Sequence, residues 1–258
     1  YGTGQLIRDA LDKGVKEIVM GIGGSATNDA GLGMAKALGY QLLSHSSDRL
    51  EGIGADLARL RQIDASEAHP KIKQTKFITL CDVQNLLYGP EGAAFVFAKQ
   101  KGASDDEIKM LDEGLQNFAT IASKMDCSVD FPGAGAAGGL GAGSKLFLYA
   151  NIEAGIDFLM NYTQIEAAIK EADVVITGEG KLDNQTLSGK VVDGVASLAR
   201  KHHKKLIIIT GSCELSPDQL NKIGITQMVT LRDQNTSESE AIEMVYDLLR
   251  KRVAQLDI

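Results

Sequence analysis

Residues 165–210 read IEAAIKEADVVITGEGKLDNQTLSGKVVDGVASLARKHHKKLIIIT, and their rhythm decides the fold. Ile165–Glu171 has helical spacing, Val174–Thr177 is a short apolar run, and a polar stretch follows. Val191–Lys201 again has helical spacing, and Leu206–Thr210 is a second apolar run. Strands that alternate with helices must run parallel, because the chain returns through each helix before it pairs again. The expected class is therefore α/β, with ligands bound beyond the carboxyl ends of the strands.

Towards the carboxyl end the same pattern continues. Ser216-Pro217-Asp218-Gln219 opens a short helix, Gln227–Leu231 reads as a strand, and Ser237 with Glu240 caps a last helix to about Ala254. Towards the amino end the elements are less regular. Leu6, Ile7, Ala10 and Leu11 predict a helix ended by Gly14, and Glu17–Ile22 predicts a strand. Lys76–Cys81 and Ala93–Ala98 are further expected strands, and the capping box Ser104–Glu107 starts a long helix to about Lys124. The boundary between irregular and regular rhythm gives two expected domains, 1–165 and 166–258.

Composition narrows the class of function. The 258 residues carry a net charge of −7, which argues against a sequence-independent grip on nucleic acid or anionic lipid. Apolar residues are 44%, aromatic residues only 5%, and Trp is absent, so the core is aliphatic. Cys81, Cys127 and Cys213 form no CxxC pair and suggest reduced, buried thiols in a cytoplasmic protein. His202-His203 reads as an exposed helix end. No run approaches membrane-spanning length. The chain starts with Tyr rather than Met, so it reads as cut from a longer one.

Four polar stretches carry candidate chemistry. In GIGGSATND, Gly21–Asp29, Gly23 and Gly24 let backbone approach a ligand, and the following helix offers free N–H groups to an anion. Ser25, Thr27 and Asn28 add donors, while Asp29 suits Mg²⁺ or a substrate hydroxyl. Helix capping by Thr27 or Asn28 explains one of these polar residues, not all of them. PGAGAAGGLGAG, Pro132–Gly143, holds a literal GxGxxG at Gly133, Gly135 and Gly138, with Asp157 downstream. It lacks a compact βαβ setting, so it reads as a glycine-lined phosphate loop or as close helix packing. TGEGKLDNQT, Thr177–Thr186, combines Glu179, Lys181 and Asp183: a metal ligand or base, a cation and a second carboxylate. That mixture fits phosphoryl transfer, and a solvated polar loop is the alternative. In residues 81–104, Asp82 ends a strand, and Lys99 and Lys101 are candidate phosphate contacts. No GxxxxGK[ST] is present.

Together these stretches make the chain resemble the glycerate kinase family of the bacterial type. The matching segments are YGTGQLI, GIGGSATNDAGLGMAKALG, CDVQN, GPEGAAFVFAKQKGAS, PGAGAAGGLGAG and ADVVITGEGKLDNQTLSGKVVDGVA, in the family's order and over nearly the whole chain. The resemblance implies two α/β domains with the active site in their cleft. One is Rossmann- or flavodoxin-like and here represented by its carboxyl-terminal part. It also implies phosphorylation of D-glycerate by ATP with Mg²⁺, giving 2-phosphoglycerate. Asp183, Asp29 and Lys181 are the expected catalytic residues. Gly23, Gly24, Ser25, Thr27 and Asn28 are expected to bind substrate. Gly135, Gly138, Gly139, Gly141, Lys101 and Glu179 are expected on the nucleotide side, with Asp82 and Asp183 at the metal. The expected partners are these small molecules, with a homo-oligomer left open.

Two departures and an absence go with the resemblance. Asn85-Leu86-Leu87 stands where the family carries Asn-Pro-Leu, and Phe97–Ala103 departs from Phe-Gly-Pro-Gln-Lys-Gly-Ala. Lost prolines free the backbone. The family's amino-terminal segment is not in the sequence, which leaves open a non-catalytic ligand-binding or oligomer-forming fragment. A kinase for another small hydroxy acid is the other alternative.

Overall fold

A computed structural model describes residues 1–184, 186, 191–232 and 237–256. The chain divides into two compact units, Tyr1–Gly155 and Ile156–Ile258. This division lies earlier than the expected boundary at 165, because Met160 and Ile165 already pack into the second unit's core.

The first unit begins with α1 (Gly2–Asp12), whose buried Ile7 and Leu11 face inward, then β1 (Glu17–Gly21) and α2 (Leu32–Ala37). A short antiparallel pair follows, β2 (Gln41–Leu43) with β3 (Gln62–Asp64). Next come β4 (Lys76–Leu80), α3 (Asp105–Lys124), α4 (Ala136–Leu148) and β5 (Asn151–Glu153). β4 lies between β1 and β5 in a parallel sheet, with Glu17 opposite Lys76 and Ile78 opposite Asn151. The core is aliphatic around Phe118 and Phe147, with Leu11, Leu32, Leu38 and Leu115 fully covered. Tyr40 donates its hydroxyl to the Phe147 carbonyl at 2.6 Å, so the buried phenol keeps a partner. Burial still pushes its pKa well above the usual tyrosine range.

One local expectation changes here, and one helix is irregular. Residues 94–98 are a wide helical turn, not a strand. Ala93, Ala94 and Ala98 are buried while Phe95 and Val96 are exposed, which is a helical and not an alternating pattern. α4 is kinked near its start, where Ala137, Gly138 and Gly139 all take positive φ (55°, 68° and 88°).

The second unit contains α5 (Gly155–Thr163, its first residue in the preceding unit), α6 (Ile165–Glu171), β6 (Val174–Leu182), α7 (Val191–Lys201) and β7 (Lys205–Cys213). α8 (Pro217–Ile223), β8 (Gln227–Thr230), α9 (Glu238–Glu243) and α10 (Val245–Val253) complete it. Its sheet is parallel in the order β6-β7-β8, with Val174 opposite Lys205 and Ile207 opposite Gln227. The expected alternation of strand and helix is therefore present, and both serine capping boxes form. β6 runs on through Leu182, so Glu179 and Lys181 stand in the strand rather than in a loop. Gly178 and Gly211 explain why: each lets neighbouring backbone approach where a Cβ would collide with a carbonyl.

His202 is not a free helix end. Its ring contacts Glu166 at 2.8 Å, and Lys201 reaches the same carboxylate at 2.6 Å. The three cysteines are free thiols, but only Cys81 is fully buried. Among the described residues no helix is long and apolar enough to cross a membrane.

Candidate functional site

The loop after β1 is built on the carboxyl end of a parallel strand. Gly23, Gly24, Ala26 and Thr27 are exposed, Ser25 is half-buried, and Asn28 and Asp29 are buried. Gly24 takes φ 68°, which an L side chain rarely adopts, and open space surrounds it. A cavity of about 580 Å³ borders this loop, lined by Gly23, Gly24, Ser25, Thr27 and the residues of β1.

Lys101 organises the loop. It ends a short helical turn, Lys99–Lys101, closed by Gly102 at φ 98°. Its ammonium donates to Ser25 Oγ at 2.8 Å and to the Thr27 carbonyl at 2.7 Å. A lysine carries three N–H donors, so one remains for a ligand. Burial lowers the Lys101 pKa, and the nearby Asp29 carboxylate opposes that shift. The result is a cation fixed on Ser25 and Thr27 of this loop, which suits an oxyanion.

Asp29 has a structural task. Its Oδ1 accepts from the Gly31 N–H at 3.0 Å and its Oδ2 from the Gly33 N–H at 3.2 Å. It therefore supplies the helix cap that the sequence reading gave to Thr27 or Asn28. Asp29→Ala would leave both N–H groups without that acceptor, and thermal or urea unfolding should show a loss of about 1–2 kcal/mol. Asn28 differs: neither its Oδ1 nor its Nδ2 has a hydrogen-bond partner, and both atoms are buried.

The glycine-rich stretch locks onto this loop. A Cβ at Gly138 would lie 2.7 Å from Asn28 Cα, and the Gly138 carbonyl accepts from the Ala30 N–H at 3.0 Å. Gly139 meets Ala30, Gly135 meets the Leu86 carbonyl, and Gly141 meets the Gly133 carbonyl. All four glycines are buried, so close backbone packing accounts for their lack of side chains. Asn85 ties in the third segment, because its carbonyl accepts from both Gly133 at 3.2 Å and Gly135 at 3.0 Å.

Several supports were not legible in sequence. Asp112 accepts from the Gly89 N–H at 2.7 Å, and Asp130 accepts from the Leu87 N–H at 3.2 Å. Asp112 left one signal, an acid on the apolar face of α3 beside Leu111 and Leu115. The Lys101–Ser25 link left none, since it joins segments far apart in the chain.

In the second unit, Glu179 accepts from Thr186 Oγ1, whose own oxygen accepts from the Asp183 N–H at 3.1 Å. Lys181 pairs with Glu214 at 2.8 Å. A cavity of about 860 Å³ borders Glu179, Lys181, Thr210, Ser212 and Arg232, with Ile176, Ile209 and Leu249 as apolar wall. The remainder of the motif, Gln185 and residues 187–190, lies outside the described residues. Asp82 stays in the first unit, where it accepts from the Gly155 N–H at 2.8 Å. Among the described residues no three His, Cys, Asp or Glu side chains converge as a metal cage. The expected Asp82 and Asp183 are hard oxygen donors of the kind Mg²⁺ takes, and Mg²⁺ commonly needs only one or two such carboxylates besides phosphate and water.

Comparison with known proteins places this architecture. The model of the glycerate kinase family matches residues 1–257. A protein of Halalkalibacterium halodurans named glycerate kinase is 42% identical over 100% of this chain and 68% of its own length. One of Escherichia coli named glycerate 2-kinase is 40% identical over 95% of this chain and 65% of its own. The crystal structure of a putative glycerate kinase 2 from Salmonella typhimurium LT2 superposes with a TM-score of 0.81 at 37% identity, covering 99% of this chain and 70% of that one. The chain thus spans about two thirds of the length of these relatives. With its parallel α/β sheets and kinase relatives, the chain belongs to the glycerate kinase family.

Proposed function

We propose that this chain forms part of a cytoplasmic enzyme that transfers the γ-phosphoryl group of ATP to a hydroxyl of D-glycerate, giving 2-phosphoglycerate. The Escherichia coli relative's name, glycerate 2-kinase, supports the choice of hydroxyl. The observation that carries the site is the Lys101 ammonium, fixed on Ser25 and Thr27 with a donor to spare.

In this reading the substrate hydroxyl oxygen bonds to the γ-phosphorus, the bond from that phosphorus to the bridging oxygen breaks, and ADP leaves. The hydroxyl proton passes to a carboxylate, with Asp29 of the first unit and Asp183 of the second as the two candidates. Each unit has a lysine suited to neutralising phosphate oxygens, Lys101 in the first and Lys181 in the second, and phosphoryl transfer requires positioned charge more than covalent chemistry. Ser25, Thr27 and Asn28 hold the hydroxy acid against exposed Gly23 and Gly24. Asp82 is the carboxylate that the first unit offers Mg²⁺; in the second unit Asp183 is offered where it does not serve as base, and Glu179 belongs to the nucleotide side. Bound Mg²⁺ would supply charge neutralisation on the phosphates.

The test is ADP release with MgATP in the presence and absence of D-glycerate, with the product read by phosphorus NMR. Glycerate-dependent ADP and a 2-phosphoglycerate resonance are expected. Glycerate-independent hydrolysis alone would overturn the reading, and a 3-phosphoglycerate resonance would overturn the choice of hydroxyl.

A further inference from the structure

Asn28 is buried, 9% exposed, and its amide oxygen and nitrogen both lack a partner. Each such group costs about 1–3 kcal/mol relative to a satisfied one. The backbone around it has no freedom to relieve this. Gly138 is pressed on Thr27 and Asn28, and Gly54 packs so closely that a Cβ there would lie 2.8 Å from the Asn28 carbonyl. Next door, Asp29 is pinned by two backbone N–H groups. The side chain is therefore the movable part, and it stands on the wall of a further cavity of the first unit, of about 630 Å³. That cavity also presents Lys36, held by Glu51 at 2.5 Å, and the small Gly33 and Gly52.

The chemistry of the unsatisfied pair selects the ligand. An amide oxygen accepts and an amide nitrogen donates, so a single group that satisfies both must donate and accept. An alcohol hydroxyl does; a carboxylate only accepts and an ammonium only donates. We propose that the Asn28 amide turns into this cavity to hold the hydroxyl of the hydroxy acid that is not phosphorylated, and so sets the preference for dihydroxy over monohydroxy acids. The inference rests on the glycerate kinase reading for its substrate, and on the unpartnered amide for its position. A site built to bond a hydroxyl strongly rejects analogues that lack it, because its own polar groups are then stranded again.

The experiment compares the wild-type protein with Asn28→Leu, an apolar side chain of similar size. D-glycerate is set against D-lactate, which keeps the 2-hydroxyl that is phosphorylated but lacks the 3-hydroxyl. The wild type is expected to favour glycerate in kcat/KM by about 10²-fold or more. In N28L that preference should fall below about tenfold, through loss on glycerate and not gain on D-lactate. An unchanged preference in N28L overturns the inference. Thermal unfolding supplies the structural control. Removing a stranded amide should leave Tm at or above the wild-type value, and a clear fall would mean that the amide has a protein partner, again overturning it. Titration calorimetry with D-glycerate separates the two readings. Wild-type binding that N28L loses, without ATP consumption, sinks the kinase reading and keeps this one. Equal binding by both proteins, or by neither, sinks this one.

Discussion

Lys101→Met is expected to lower kcat/KM for phosphoryl transfer by about 10²–10³-fold while leaving the fold intact, the scale seen when one preorganised donor to a developing charge is removed. The geometry makes this specific. The ammonium is held by Ser25 Oγ and the Thr27 carbonyl, so its charge sits at one point on the loop. Lys101→Arg should not restore full activity, because a planar fork cannot place a point charge on those two acceptors. The pH dependence gives a second reading. Burial lowers the pKa of Lys101 from the ordinary 10.5, so the unfolded chain binds more protons than the folded one between the lowered value and 10.5. In that window this residue's contribution to stability rises with pH. Activity that needs the ammonium falls over the same window. Opposite trends in stability and rate on the alkaline side, both abolished in K101M, are the expected signature. Stopped or steady-state rates and denaturant melts at matched pH measure it.

Gly138→Val is the substitution expected to damage the protein most. Gly138 takes φ 68°, and a Cβ would collide with the Thr27 carbonyl and lie 2.7 Å from Asn28 Cα. Left-handed backbone costs an L residue about 1–2 kcal/mol, and forced overpacking about 1–3 more. A loss of about 3 kcal/mol or more is expected, which calorimetry would read as a fall of about 6–12 °C in the melting of the first unit. Gly24→Ala is the matched control. Its φ is also 68°, but no atom lies within 4 Å of its Cβ position, so only the backbone term of about 1 kcal/mol applies. Equal effects at the two positions would refute the packing account.

These cases show what the sequence made legible. The alternation after residue 165 and the three serine capping boxes were readable because each depends on spacing within one element. Residues 93–98 misled because Ala-Ala-Phe-Val-Phe-Ala is apolar throughout, and only burial separates a helical face from an alternating one. β6 outran its expected end because Gly178 reads as a loop residue until β7 is seen pressed against it, with Gly211 of β7 packed on the Gly180 carbonyl. At the site, the loop Gly21–Asp29 was visible from its composition, but the division of labour within it was not. Which residue caps, which is held by Lys101 and which is left stranded depends on segments distant in sequence.

The glycines that clasp Thr27, Asn28 and Ala30 also restrict the paths open to heredity. A bulkier residue at Gly138, Gly139 or Gly143 is tolerable only if the Thr27–Ala30 backbone retreats, and a retreat without it leaves a gap. Mutations in the two segments should therefore be strongly non-additive although neither residue touches the other's ligand. A breeder of new substrate preference who randomises one segment alone will find mostly failures, and the productive alleles will be pairs.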